Sequence, residues 1–234
     1  MNTQHKANTA IRYRVDIDGE TLVYDVDPED GPQHPPAVRG EPSSAEWTRL
    51  DFHQCPNCPL RPTDAAFCPA ARDIAPLLPH WGHLSSHQQV RAVVTTAERQ
   101  VTADTSAQRV LSSLLGLILA LSDCPVTAFL KPMARFHLPF ASEEETLFRS
   151  VSAYLLRQYF QRLRGAPVDL DLSGLAARYR ALEVVNQSLA ERLRAASSRD
   201  ATINAITLLD IFTKVLPVSI DRSLAQLEHL FGDA

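Results

Sequence analysis

From Ile11, apolar Ile11, Tyr13, Val15 and Ile17 alternate with polar Arg12, Arg14 and Asp16, the two-residue period of a half-buried strand. Asp18-Gly19 follows, a pair that readily takes positive φ, and Leu22, Tyr24 and Val26 then alternate again. This pattern predicts a β-hairpin. Trp47 to Phe52 reads as a third strand. The β-branched residues between Gln89 and Thr102 predict a second hairpin or one long bent strand. Ala70 to Leu78 predicts a short helix, stopped by Pro79.

After Asp104 the period lengthens. Val110, Leu111, Leu114, Leu115, Ile118 and Leu121 recur at helical spacing and end before Asp123-Cys124-Pro125. Ser142-Glu143-Glu144-Glu145 is a capping box, whose acidic run suits a helix N-terminus. It opens a helix carrying Phe148, Val151, Leu155, Tyr159 and Leu163, with Arg149, Arg157, Arg162 and Arg164 as its solvated face. The next helix shows Leu175, Tyr179, Leu182, Asn186, Leu189 and Leu193, alternating by four and three, a stripe that packs lengthwise against other helices. Two more helices are expected, one from Ala205 to Leu216 and one after Asp221.

Strands followed by helices predict the α+β class. The expected architecture is a small antiparallel β-sheet with a Cys-rich knuckle in the N-terminal half and an α-helical bundle in the C-terminal half. Residues 1–102 form the β-rich region, including a Pro-rich surface loop (28–44) and the knuckle (53–70), and residues 103–234 form the helical domain.

Composition narrows the function classes. The 234 residues are 45% hydrophobic and 21% charged, with a formal net charge of -4, so nothing in the balance supports nucleic-acid binding. No apolar leader follows the first residues, and the run Val110 to Leu121 falls short of the ~20 apolar residues a membrane span needs. A cytoplasmic protein without membrane contact is expected, and four cysteines in that compartment point to metal binding or free thiols before disulfides.

Those cysteines are the strongest chemical signal. Each precedes a proline: Cys55-Pro56, Cys58-Pro59, Cys68-Pro69 and Cys124-Pro125, a coincidence far beyond chance with 16 prolines in the chain. Proline after cysteine removes one backbone N–H and biases the cysteine towards extended geometry, giving a rigid turn in which Cys-x-x-Cys thiolates converge. Structural zinc takes four thiolate or imidazole ligands. Cys55, Cys58 and Cys68 supply three, and the fourth is Cys124, or alternatively His53, with His80 and His83 as further options. A [4Fe-4S] cluster is the competing reading, with zinc placed ahead of it. Buried free thiols are the bland alternative and a redox Cys-x-x-Cys a weaker one. His80, His83 and His87 share a helical face only if Pro79 and Gly82 permit a helix, and otherwise read as loop histidines.

Cys124 with His137 is the one conceivable nucleophile–base pair. No dinucleotide-binding, phosphate-loop, HExxH, serine-elbow or EF-hand motif occurs. The series Cys55-x-x-Cys58-Pro-Leu60, Phe67-Cys-Pro-Ala70, Asp123-Cys-Pro125 and Arg135-Phe-His-Leu-Pro-Phe140 resembles a family of uncharacterised bacterial proteins of unknown function. The resemblance implies a bacterial source and an intact architecture over roughly residues 11–216, and brings no activity or ligand set. The expectation is therefore a metal-stabilised accessory or regulatory protein that acts through a protein partner. An iron–sulfur or thiol redox sensor is the alternative, and enzyme activity is disfavoured.

Overall fold

A computed structural model describes residues 10–29, 31–33, 45–197, 200–207, 209, 224–225 and 227–232. Strands β1 (Ile11–Ile17) and β2 (Glu20–Asp27) pair antiparallel, with Ile17 opposite Glu20. Asp18 and Gly19 join them at φ 49° and 85°, a two-residue turn whose twist matches that of the strands. Ile11, Tyr13, Val15 and Ile17 are buried as their alternation requires. The other edge of β1 pairs with β4 (Gln89–Thr95), and β4 with β5 (Gln100–Ser106), so the second hairpin is present. The sheet runs β3-β2-β1-β4-β5.

Two expectations about this region are corrected. The third strand is β3 (Gly31–Gln33), inside the segment expected to be a Pro-rich loop, where Pro32 is tolerated because β3 is an edge strand. The remainder of that loop, 34–44, lies outside the described residues. Trp47 to Phe52 is not a strand. Glu46–Thr48 form a single 3₁₀ turn, and Arg49 makes one isolated bridge to Phe67.

Helices cover the sheet. α1 (Pro69–Ile74) and α2 (Leu78–Trp81) are joined by a 3₁₀ turn, so the helical run passes Pro79, which sits in the first turn of α2 where no N–H is needed. Trp81 is fully buried and donates its indole N–H to Tyr24 Oη at 2.8 Å, fixing α2 to β2. α3 (Ala107–Leu121) contacts β3, β4 and β5 and buries residues on every side, as a helix with neighbours all round must. α4 (Lys131–Arg135) packs on α3 and on α5 (Glu143–Leu163), and α6 (Ser173–Ala196) follows. One continuous apolar cluster runs from Ile11 and Val15 on β1 through Leu114 and Ile118 on α3 to Leu189 and Leu193 on α6.

On α6 all six residues of the expected stripe are buried. On α5 the capping box forms as expected, with Glu145 N–H donating to Ser142 Oγ and Ser142 N–H to Glu145 Oε2. Of the expected apolar stripe, however, only Val151 is buried. Leu147, Ser150, Val151, Tyr154 and Gln158 face inward, while Phe148, Leu155, Tyr159 and Leu163 are exposed. The inner polar side chains are satisfied locally: Ser150 Oγ hydrogen-bonds Tyr179 Oη at 2.7 Å, and Gln158 Oε1 accepts from the Asp169 N–H. Residues 201–207 are helical, but most of the expected helices around 205–216 and after 221 fall outside the described residues.

Arg192 is the buried polar residue that joins the halves. Only 1% exposed, it donates from Nη1 to the Trp47 and Arg49 carbonyls at 2.7 Å each and from Nη2 to the Leu50 carbonyl at 3.0 Å. Arg192→Met is expected to lower unfolding stability by about 3 kcal/mol, since several charge-assisted hydrogen bonds are lost and buried carbonyls are stranded. Urea denaturation checks this; a loss below about 1 kcal/mol would mean that the carbonyls find other donors.

Candidate functional site

The segment held by Arg192 is zipped on its other side to residues 66–68. Leu50 N–H donates to the Ala66 carbonyl at 3.0 Å and Cys68 N–H to the Thr48 carbonyl at 2.8 Å. The chain between is thereby closed into a loop that carries Cys55 and Cys58. Cys58 N–H donates to the Cys55 carbonyl at 2.9 Å, making Cys55-Pro56-Asn57-Cys58 a β-turn with proline at its favoured second position. The Gln54 amide ties the loop base to the Leu60 carbonyl at 2.9 Å. The Asn57 amide reaches the Ala181 carbonyl on α6 at 2.9 Å, and the Ser188 hydroxyl of the same helix hydrogen-bonds the Cys55 sulfur.

The other two cysteines reuse the same geometry. Cys124-Pro125-Val126-Thr127 is again a turn, with Thr127 N–H and Oγ1–H both donating to the Cys124 carbonyl. Cys68 caps α1 in extended conformation (φ −69°, ψ 118°), Pro69 opens the helix, and Arg72 N–H donates back to the Cys68 carbonyl. Proline thus presets the backbone after three of the four cysteines, twice in a turn and once at a helix start.

The thiols influence one another electrostatically. Cys55 lies within electrostatic reach of Cys68, Cys124 and Cys58, and Cys124 within reach of Cys68. Burial is the main influence raising the Cys55 and Cys124 thiols above their ordinary value. Neighbouring cysteines add to the rise, while the Ser188 hydroxyl opposes it at Cys55 and the Val126 and Thr127 amides at Cys124. All four are free thiols. Among the described residues no three His, Cys, Asp or Glu side chains stand at metal-ligating spacing.

The histidines fall elsewhere. His53 is exposed, at φ 44°, with its ring against Phe52. His80 closes α2 beside the Tyr24 ring, and His83 and His87 are exposed in the turns that follow. No hydrogen bond joins Cys124 to His137 among the described residues. His137 Nε2 instead hydrogen-bonds the Tyr13 hydroxyl, which also meets Ser113 Oγ at 2.8 Å, and Ser113 Oγ accepts the Phe140 N–H at 3.2 Å. This relay under β1 and α3 carried no signal in the sequence, because Tyr13 reads as one more alternating strand residue. Arg149, expected to be solvated, is half-buried and donates from Nη2 to the Met133 and Phe136 carbonyls at 2.7 and 2.9 Å.

Residues 9–232 match a family described as Domain of unknown function (DUF6901), and the chain belongs to that family. No curated protein and no solved structure matches it. No helix among the described residues is long and apolar enough to cross a membrane.

Burial, helped by the positive charge of Arg149, lowers the His137 pKa from 6.5 to about 3. The unfolded chain therefore binds a proton that the folded chain refuses between these values. The stability supplied by neutral His137 is complete above pH 6.5 and drains away as pH falls towards 3. From pH 7 to pH 5 this group alone is expected to cost about 2 kcal/mol. His137→Gln should flatten that part of the stability–pH curve, measured by urea unfolding at both pH values; an unchanged slope would assign the acid sensitivity to other groups.

Proposed function

We propose that this protein is a non-catalytic, metal-stabilised interaction protein in which Cys55, Cys58, Cys68 and Cys124 hold one zinc ion. The observation that supports this reading is that Cys58, Cys68 and Cys124 all lie within electrostatic reach of Cys55. Thiols crowded in a half-buried place resist ionising together, and a bound cation removes that resistance by taking the thiolates as ligands and releasing their protons. Closing the shell requires side-chain rotation, with Cys55 turning from Ser188. The ion would then fasten the Cys55–Cys58 knuckle to the start of α1 and the end of α3, between the sheet and a helical bundle of α3, α5 and α6. A zinc ion with four thiolate ligands has no open coordination position, so its role there is structural. Cys124, spent as a ligand, has no part in catalysis with His137.

The interaction surface in this reading is the outer side of α5. Phe148, Leu156, Tyr159, Phe160 and Leu163 are 46–66% exposed, a contiguous apolar face of the kind that marks association. Charge favours a second copy of the chain as its occupant. Glu143 and Glu144 are exposed at one end of the helix and Arg162 and Arg164 at the other, so antiparallel pairing of two α5 helices brings acid to base at both ends of a two-fold contact.

Protein purified without added metal is expected to carry about one zinc per chain by elemental analysis, in keeping with a single Cys₄ site. Chelation should lower its thermal midpoint, and any one of the four Cys→Ser changes should abolish stoichiometric loading. Visible charge-transfer absorption and stoichiometric iron would move the assignment to a [4Fe-4S] cluster on the same thiols. A fully folded, metal-free protein would end both readings. In sedimentation equilibrium the chain should dimerise and Leu156→Glu should run as a monomer; a wild-type monomer at all concentrations removes the α5 contact.

A further inference from the structure

α3, α4, α5 and α6 line a half-open cavity of about 540 Å³, within the size range of small-molecule sites. It opens because α3 turns small residues towards it, among them Ser113, Gly116 and Ala120. A glycine in the middle of a helix costs about 1 kcal/mol relative to alanine. At Gly116 nothing in the backbone demands glycine: an added Cβ would meet only Leu209 Cδ2, at 3.4 Å, an ordinary contact. What Gly116 provides is space. Most of the wall is apolar, with Leu117, Leu130, Met133, Leu138 and Leu182 contributing.

Arg149 lines this apolar space. Only its Nη2 is engaged, with the Met133 and Phe136 carbonyls, and no carboxylate pairs with it among the described residues. Glu145 is the acid whose charge it senses, but Glu145 gives Oε2 to the Ser142 N–H. At the rim stand Arg109, which donates to the Phe140 carbonyl at 3.2 Å, and exposed Glu143. Their opposite charges leave Arg149 as the inner, uncompensated cation. A half-buried charge with no counterion is costly, and an anion entering the cavity relieves that cost.

We infer that this cavity binds a medium-chain alkyl carboxylate, its headgroup on Arg149 and its chain along the wall formed by Leu117, Leu130 and Leu182. With Nη2 engaged by two carbonyls, the guanidinium offers Nη1, which donates a charge-assisted hydrogen bond to one carboxylate oxygen. One cation balances one charge, so a dianionic headgroup would leave a negative charge stranded in apolar surroundings.

The test is calorimetric titration of the full chain with decanoate, decanol and decyl phosphate. Decanoate should bind one per chain and at least about tenfold tighter than either analogue, as loss of a charge-assisted hydrogen bond implies. Arg149→Gln should bring decanoate down to the level of decanol. Because that change also removes a support of α4, Gly116→Leu provides the control: it fills the cavity on a helix that tolerates leucine, and should abolish binding with the circular dichroism spectrum retained. Equal affinity for decanol and decanoate, undiminished binding in Gly116→Leu, or no saturable binding to the wild type would each overturn the inference.

Discussion

The arrangement of this fold depends on one guanidinium. Arg192 projects from α6 into the interior, where three main-chain carbonyls take the place of its water. Removing a charge from water is tolerable only when polar groups replace the lost solvation, and those carbonyls do so only if residues 47–50 keep their backbone oxygens turned to α6. The segment is therefore unavailable as a sheet strand. Its other side zips to residues 66–68, and the intervening loop is presented to α6, where Asn57 and Cys55 are caught by Ala181 and Ser188. The position of two thiols thus follows from an arginine more than a hundred residues downstream in sequence.

Much of this was legible before any coordinates. Period-two alternation identified β1 and β2, helical spacing identified α3 and α6, and the capping box marked the start of α5. What failed did so for physical reasons. Trp47 to Phe52 has a strand-like composition, but Arg192 takes the carbonyls that a ladder would need. The inner face of α5 was misread because its buried positions include Ser150 and Gln158, which are satisfied by hydrogen bonds to α6 and to the stretch before it; apolar spacing therefore pointed to the wrong side. β3 was hidden in a proline-rich segment because an edge strand spares its N–H. Cys-Pro pairing did mark local backbone geometry, since proline shapes a turn or a helix start whatever the distant contacts. Arg149 reads as solvated from its helical position, because its burial depends on the carbonyls of Met133 and Phe136 around the end of α4, which no local pattern encodes.

α3 connects the two chemical regions. Its C-terminal end runs into the turn bearing Cys124, while Ser113 and Gly116 further back give one of its sides to the cavity. The helix is buried nearly all round and belongs to the same core as β1 and α6, so neither region has a private foundation. A packing defect in α3 would be felt at the cysteines and around His137 alike, because close-packed interiors transmit strain.

The same clamp sets an order of events. Its three hydrogen bonds span 142, 143 and 145 residues of sequence, whereas the β1–β2 hairpin closes over a two-residue turn. Contacts of such long reach form late, because loop-closure entropy opposes them until the rest has condensed. A ribosome would thus have released the cysteine-bearing loop long before the helix that seats it, leaving three thiols in solvent throughout the interval. In a cell the nascent chain, rather than the finished protein, is the form whose thiols are most open to oxidation.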